Sequence, residues 1–121
     1  MTPTVDGRGP AILRVTPERG PDSISLRLAG EMDIATAHQL VDIVRPLSAA
    51  DLRRVRLDLA ELVFIDASGL TALLQASMIV AGRGGRFTLH GVRPLLRRLL
   101  EITDLGRDFD VETGMTTPSQ R

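Results

Sequence analysis

Apolar and polar residues alternate almost strictly in three stretches: Ile24-Ser25-Leu26-Arg27-Leu28-Ala29, Arg54-Val55-Arg56-Leu57-Asp58-Leu59 and Arg86-Phe87-Thr88-Leu89-His90. A period of two is the pleat of a strand with one apolar and one wet face. Ala11 to Thr16 predicts a short first strand, followed by turn chemistry over Pro17-Glu18-Arg19-Gly20-Pro21-Asp22. Phe109-Asp110-Val111 is a weaker final case. Between the strands the spacing becomes helical. Ile34, Ala37, Leu40, Val41 and Val44 predict a helix from Ile34 to about Leu47, which Pro46 should end or kink. Leu70 to Ala81 predicts a second helix, closed by Gly82. Val92, Leu95, Leu96, Leu99 and Leu100 give a third its apolar stripe, with Arg93, Arg97 and Arg98 opposite.

The repeated alternation bears on architecture. A sheet covered by helices on both faces needs near-continuous apolar strands. These strands each carry a wet face, so the fold class is α/β, with a mixed four- to five-stranded sheet and helices packed on one face. This argues against a doubly wound nucleotide-binding fold. Arg54, Arg56 and Asp58 should face water, and Val55, Leu57 and Leu59 the core. The second helix is apolar nearly all round. Leu70, Leu73, Leu74 and Met78 can face the sheet, while Ala72, Ala76, Ile79 and Val80 either pack against neighbouring helices or form a partner-docking patch.

With 121 residues the chain makes one domain. Residues 1–10 read as a flexible N-terminal segment, 11–112 as the folded domain and 113–121 as a polar C-terminal tail. Aromatics number three Phe, with no Trp or Tyr, so there is no stacking platform for single-stranded nucleic acid. A net charge of zero gives no strong pull towards DNA or anionic lipid. Every basic residue is Arg, which excludes a lysine-dependent phosphate loop. Cys is absent, and with it disulfides, thiolate nucleophiles and cysteine metal sites. No apolar run reaches membrane-spanning length and no signal-peptide core is visible, so a cytoplasmic protein is expected.

Candidate chemistry concentrates in Phe64-Ile65-Asp66-Ala67-Ser68-Gly69-Leu70, where the strand pattern gives way to the helical one. Ser68 there reads as the N-cap of the second helix. The same place carries the positive end of the helix dipole and unpaired N–H groups, and so suits a covalently attached phosphate. Asp66 is either a turn-forming carboxylate or a group that positions the serine. Asp33, after Gly30-Glu31-Met32, reads as the cap of the first helix. His38 and His90 are isolated, with no carboxylates at metal-ligand spacing. Gly82-Arg83-Gly84-Gly85 reads as a turn. As a nucleophile Ser68 lacks a base in any recognisable motif, so no catalytic residue, metal or cofactor is expected.

The Asp-Ala-Ser-Gly-Leu run, with Gly30-Glu31-Met32-Asp33 upstream, resembles the STAS domain family, and within it the bacterial anti-sigma factor antagonists. The resemblance covers roughly Ala11 to Val111. It implies that Ser68 is phosphorylated, and that Glu31, Asp33, Asp66, Ala67, Gly69, Leu70 and Thr71 lie on the partner-binding face. Ala67 is often a hydroxyl residue in the family, so here a single hydroxyl precedes the glycine. The implied partner is an anti-sigma factor with a serine-kinase domain of the histidine-kinase-like ATPase type. It would bind the bare serine, release the phosphorylated one and supply the ATP and magnesium. A phosphatase would reset the switch. No nucleic acid or membrane partner is implied. Other STAS domains serve stress-signalling or lipid-transport assemblies, which is the alternative reading. Family members usually carry a further C-terminal helix, and Glu112 to Arg121 is too short and polar to supply a full one.

Overall fold

A computed structural model describes residues 12–112. The predicted N-terminal segment, the C-terminal tail and the question of a last helix lie outside the described residues. The elements are β1 (Leu13–Gly20), β2 (Ser23–Met32), α1 (His38–Val44), β3 (Arg54–Ile65), α2 (Ala67–Gly82), β4 (Arg86–His90), α3 (Pro94–Thr103) and β5 (Asp110–Val111). The strands form one five-stranded sheet in the order β1-β2-β3-β4-β5. Strands β1 and β2 are antiparallel, and every later neighbour is parallel. The sheet is therefore mixed, as the sequence predicts.

The alternation becomes rows across the sheet. Leu26, Leu57 and Leu89 stand side by side on β2, β3 and β4, each at 0% exposure. Ile24, Val55 and Phe87 form the next buried row. Offset by one residue, Ser25, Arg56 and Thr88 form a row on the opposite, wet face, and Arg27, Asp58 and His90 another. The buried rows lie under the helices, whose Leu40, Val44, Leu73, Val80 and Leu96 complete the same core. The polar rows carry ion pairs such as Arg86–Asp110 at 2.6 Å.

Several boundaries differ from those the sequence suggests. Strand β1 runs through Pro17 to Gly20, and the turn is confined to Pro21-Asp22. An edge strand tolerates a proline because its missing N–H can face water. The charges of Arg14, Glu18 and Arg19 also guard this edge against pairing with another sheet. Strand β3 extends six residues past Leu59, to Ile65. Its second half pairs with β2 through two register shifts. Helix α1 starts at His38, after a turn over residues 34–37, and Ile34 is 84% exposed instead of buried.

Met78 is the other inversion. Helix α2 buries Gly69, Leu70, Ala72, Leu73, Ala76, Ser77 and Val80. At 100° per residue that arc is centred opposite Thr71 and Met78. Met78 is accordingly 64% exposed, not packed on the sheet. The other large apolar side chains of α2 are buried or half-buried, so Met78 is the one large apolar side chain this helix exposes among the described residues.

Candidate functional site

Strands β2 and β3 run parallel, so the loops that follow them emerge at the same end of the sheet. Glu31 is in register with Phe64, and Met32 with Ile65. The Asp66 N–H then donates to the Met32 carbonyl at 3.2 Å. The Glu31–Asp33 loop and the Asp66–Ser68 loop are thereby held side by side.

Two glycines make the approach possible. Gly30 has φ +110° and lies at a register shift, and a Cβ there would fall 2.2 Å from the Ile12 carbonyl oxygen. Gly69 is buried. A Cβ on it would stand 2.5 Å from Cγ1 of Ile65 and 2.9 Å from the Met32 carbonyl oxygen. The first turn of α2 therefore rests directly on the end of β2.

The cap of α2 is Asp66, not Ser68. Its Oδ1 accepts from the Ser68 N–H at 2.9 Å and from the Gly69 N–H at 3.2 Å. The reason is the start of the helix. It begins at Ala67, three residues before the first apolar position of the periodic stretch, so the cap falls on Asp66 and Ser68 becomes its second residue. Ala67 N–H, the remaining first-turn amide, has no partner among the described residues. The Ser68 hydroxyl likewise makes no hydrogen bond among the described residues, and the side chain is half-buried.

Asp33 caps the turn over residues 34–37 and not α1 itself. The N-cap of α1 is Ala37, with no side-chain hydrogen bond, because the helix starts four residues later than its apolar spacing suggests. The Asp33 Oδ1 accepts from the Ala35 N–H at 2.9 Å and the Thr36 N–H at 3.2 Å. Thr36 answers by accepting from the Asp33 N–H at 3.0 Å and donating to the Glu31 carbonyl at 2.7 Å. This is the reciprocal arrangement of a capping box, with threonine as the return partner. Sequence reasoning missed Thr36. Its signal was the three-residue spacing from Asp33, with threonine in the place usually held by Glu or Gln.

The predicted site residues separate into two kinds. Ala67 and Thr71 are exposed, and Glu31, Asp33, Asp66 and Ser68 are half-buried at the same end. Leu70 is 5% exposed and belongs to the core, and Gly69 is wedged against Met32. Those two shape the loop and present no side chain outward. Elsewhere, His38 pairs with Asp42 at 3.0 Å and His90 with Glu112 at 2.8 Å. Among the described residues no group of three or more His, Cys, Asp or Glu is placed to hold a metal. No helix among them is long and apolar enough to cross a membrane.

The capping geometry predicts a contrast. Asp66→Ala should cost about 0.5–2 kcal/mol, because two amides lose their acceptor. Ser68→Ala should stay within about 0.5 kcal/mol, because its hydroxyl holds nothing. Urea unfolding of both variants checks this, and the opposite ranking would return the cap to Ser68.

The family model described as "Mlab, STAS domain" matches residues 15–115, and the chain belongs to the STAS domain family. A relative from Listeria monocytogenes, the "Anti-sigma-B factor antagonist", is 30% identical over 95 residues, covering 78% of this chain and 83% of its own. The fold is similar to that of the anti-sigma factor antagonist SpoIIAA in its unphosphorylated form. The TM-score is 0.66 at 18% identity, over 86% of this chain and 90% of that one. It is also similar to the Bacillus cell fate determinant SpoIIAA in the phosphorylated form. There the TM-score is 0.62 at 21% identity, over 84% and 93%.

Proposed function

We propose that this protein is an anti-sigma factor antagonist, an interaction module switched by phosphorylation of Ser68. The observation that carries this reading is the state of that hydroxyl. It stands at the end of the sheet where two loops meet, half-exposed, with no hydrogen bond among the described residues. A structural serine would be spent on a cap or a turn, and here Asp66 holds the cap. The relatives support the same reading. One is named an anti-sigma-B factor antagonist, and SpoIIAA is solved both with and without phosphate.

The partner is an anti-sigma factor with a serine-kinase domain. It binds the bare loop formed by Glu31, Asp33, Asp66, Ala67 and Thr71, phosphorylates Ser68 and then lets go. A phosphatase restores the binding form. Ser77 and Thr36 are poorer targets. Ser77 is 8% exposed and donates to the Leu74 carbonyl at 2.8 Å, and Thr36 is 3% exposed and bonded within the turn before α1.

The test is to capture partners with the unphosphorylated chain, add ATP to the kinase so obtained, and map phosphate by mass spectrometry. Phosphate on Ser68 is expected. Phosphate confined to Thr71 or Ser77 would sink the model. Recovery of membrane-transporter subunits without any kinase would instead favour a lipid-transport assembly.

A further inference from the structure

Next to the Ser68 loop lies a groove of about 280 Å³ between the end of β3 and the start of α3. Its walls are Val63 and Phe64 on one side and Leu95 on the other, exposed by 61%, 42% and 42%. The groove exists because β4 is short. It pairs with β3 only from Arg54 to Asp58, so the second half of β3 has no strand neighbour on that side. Helix α3 covers the gap incompletely. Leu96 and Leu100 point into the core, while Leu95, Leu99 and Ile102 follow one another at i, i+4 and i+7 along a neighbouring face. Ile102 is 72% exposed and Leu99 half-buried. The helix thus carries a second apolar stripe, which runs on from the groove.

On the α3 side the groove and stripe are bordered by arginines, away from the acidic loop beyond Ile65. Arg93 lines the groove and donates from one guanidinium nitrogen to the Ala60 carbonyl at 3.0 Å. Arg98 borders the stripe, three residues after Leu95 and four before Ile102. Neither pairs with a carboxylate among the described residues. The opposite charge is left for whatever covers the groove.

We propose that this groove is a second half of the docking surface, filled by an amphipathic segment of the anti-sigma partner that presents apolar side chains flanked by Asp or Glu. The assignment rests on the function proposed above. Ile65 lines the groove and directly precedes Asp66, so one partner can cover the serine and reach the groove together. The two halves have different tasks. The Ser68 loop senses the phosphate, while the groove supplies affinity that phosphorylation does not touch.

The experiment uses the captured kinase as probe, with Val63→Asp, Leu95→Asp and Arg98→Glu variants of the full chain. All three positions are exposed, so circular dichroism and melting curves should match wild type. Binding to the kinase should weaken at least tenfold for the two aspartate variants and severalfold for Arg98→Glu, whose affinity should also lose part of its salt dependence. In phosphorylation assays KM should rise while kcat at saturation is unchanged, and phosphate should still map to Ser68. Wild-type affinity in all three variants, with normal Ser68 phosphorylation, would overturn the groove and leave the proposed function standing. Absence of kinase binding and phosphorylation in wild type would sink both. Self-association of wild type that Leu95→Asp abolishes, with kinase binding unchanged, would make the occupant a second copy and overturn the proposal.

Discussion

Replacing Leu57 by alanine should destabilise the fold by about 2–5 kcal/mol, whereas replacing its chain neighbour Arg56 should cost under about 0.5 kcal/mol. Leu57 is 0% exposed and lies between Leu26 and Leu89, which are equally buried. Truncation removes its contacts and leaves a cavity that three packed strands cannot collapse around. Arg56 is on the wet face, where its guanidinium meets Glu112 at 3.4 Å with both side chains about two-fifths exposed. Such a pair contributes little in water. Urea unfolding should show a lower midpoint with unchanged slope for Leu57→Ala and a near wild-type curve for Arg56→Ala. At about 4 °C per kcal/mol for a domain of this size, the melting temperature should fall by roughly 8–20 °C. A loss below about 0.5 kcal/mol at Leu57 would mean that the core is on the other face of the sheet.

Phosphorylation of Ser68 should weaken binding to the anti-sigma partner at least about 100-fold, some 2.8 kcal/mol. The phosphoryl group adds a charge of roughly −1.5 to −2. It arrives beside Asp66, on a loop held against the one that bears Glu31 and Asp33. A partner surface that fits the bare serine must then accommodate and desolvate a dianion among carboxylates. Ser68→Ala should bind like wild type and resist inactivation by kinase and ATP. Ser68→Glu should fold normally and bind weakly, although one carboxylate mimics a phosphate imperfectly. Titration of both forms against the same kinase is the measurement, and equal affinity would rule the switch out.

The sequence made the strands legible wherever a residue's face was decided by water. Val55, Leu57 and Leu59 are buried, with Arg56 and Asp58 on the other side, as the alternation requires. It failed where tertiary context overrode local preference. Leu62-Val63-Phe64-Ile65 does not alternate, so the alternation that marked the strand stops at Leu59. The segment is still strand, because bulged pairing with β2 turns Val63 and Phe64 outward together. Pro17 looked like the end of a strand, but the open edge of the sheet had no use for its missing N–H. At the site, the Asp-Ala-Ser-Gly-Leu run located the loop, but the cap depended on where α2 starts. Periodicity reads the first apolar contact at Leu70, and the backbone turns at Ala67. Leu95 shows the same limit, since a helical stripe cannot tell which of its leucines a short β4 leaves uncovered.

The seat that Asp66 occupies bears on how long the proposed switch would stay thrown. Two amides at the head of α2 are already satisfied by a resident carboxylate, so a phosphoryl group on Ser68 finds Ala67 N–H and little else unless it displaces Asp66. A monoester held this loosely gains no shelter from the fold against hydrolysis by another enzyme. Under the proposed switch the chain would carry the mark without doing much to keep it, and the lifetime of the released form would be set by the phosphatase.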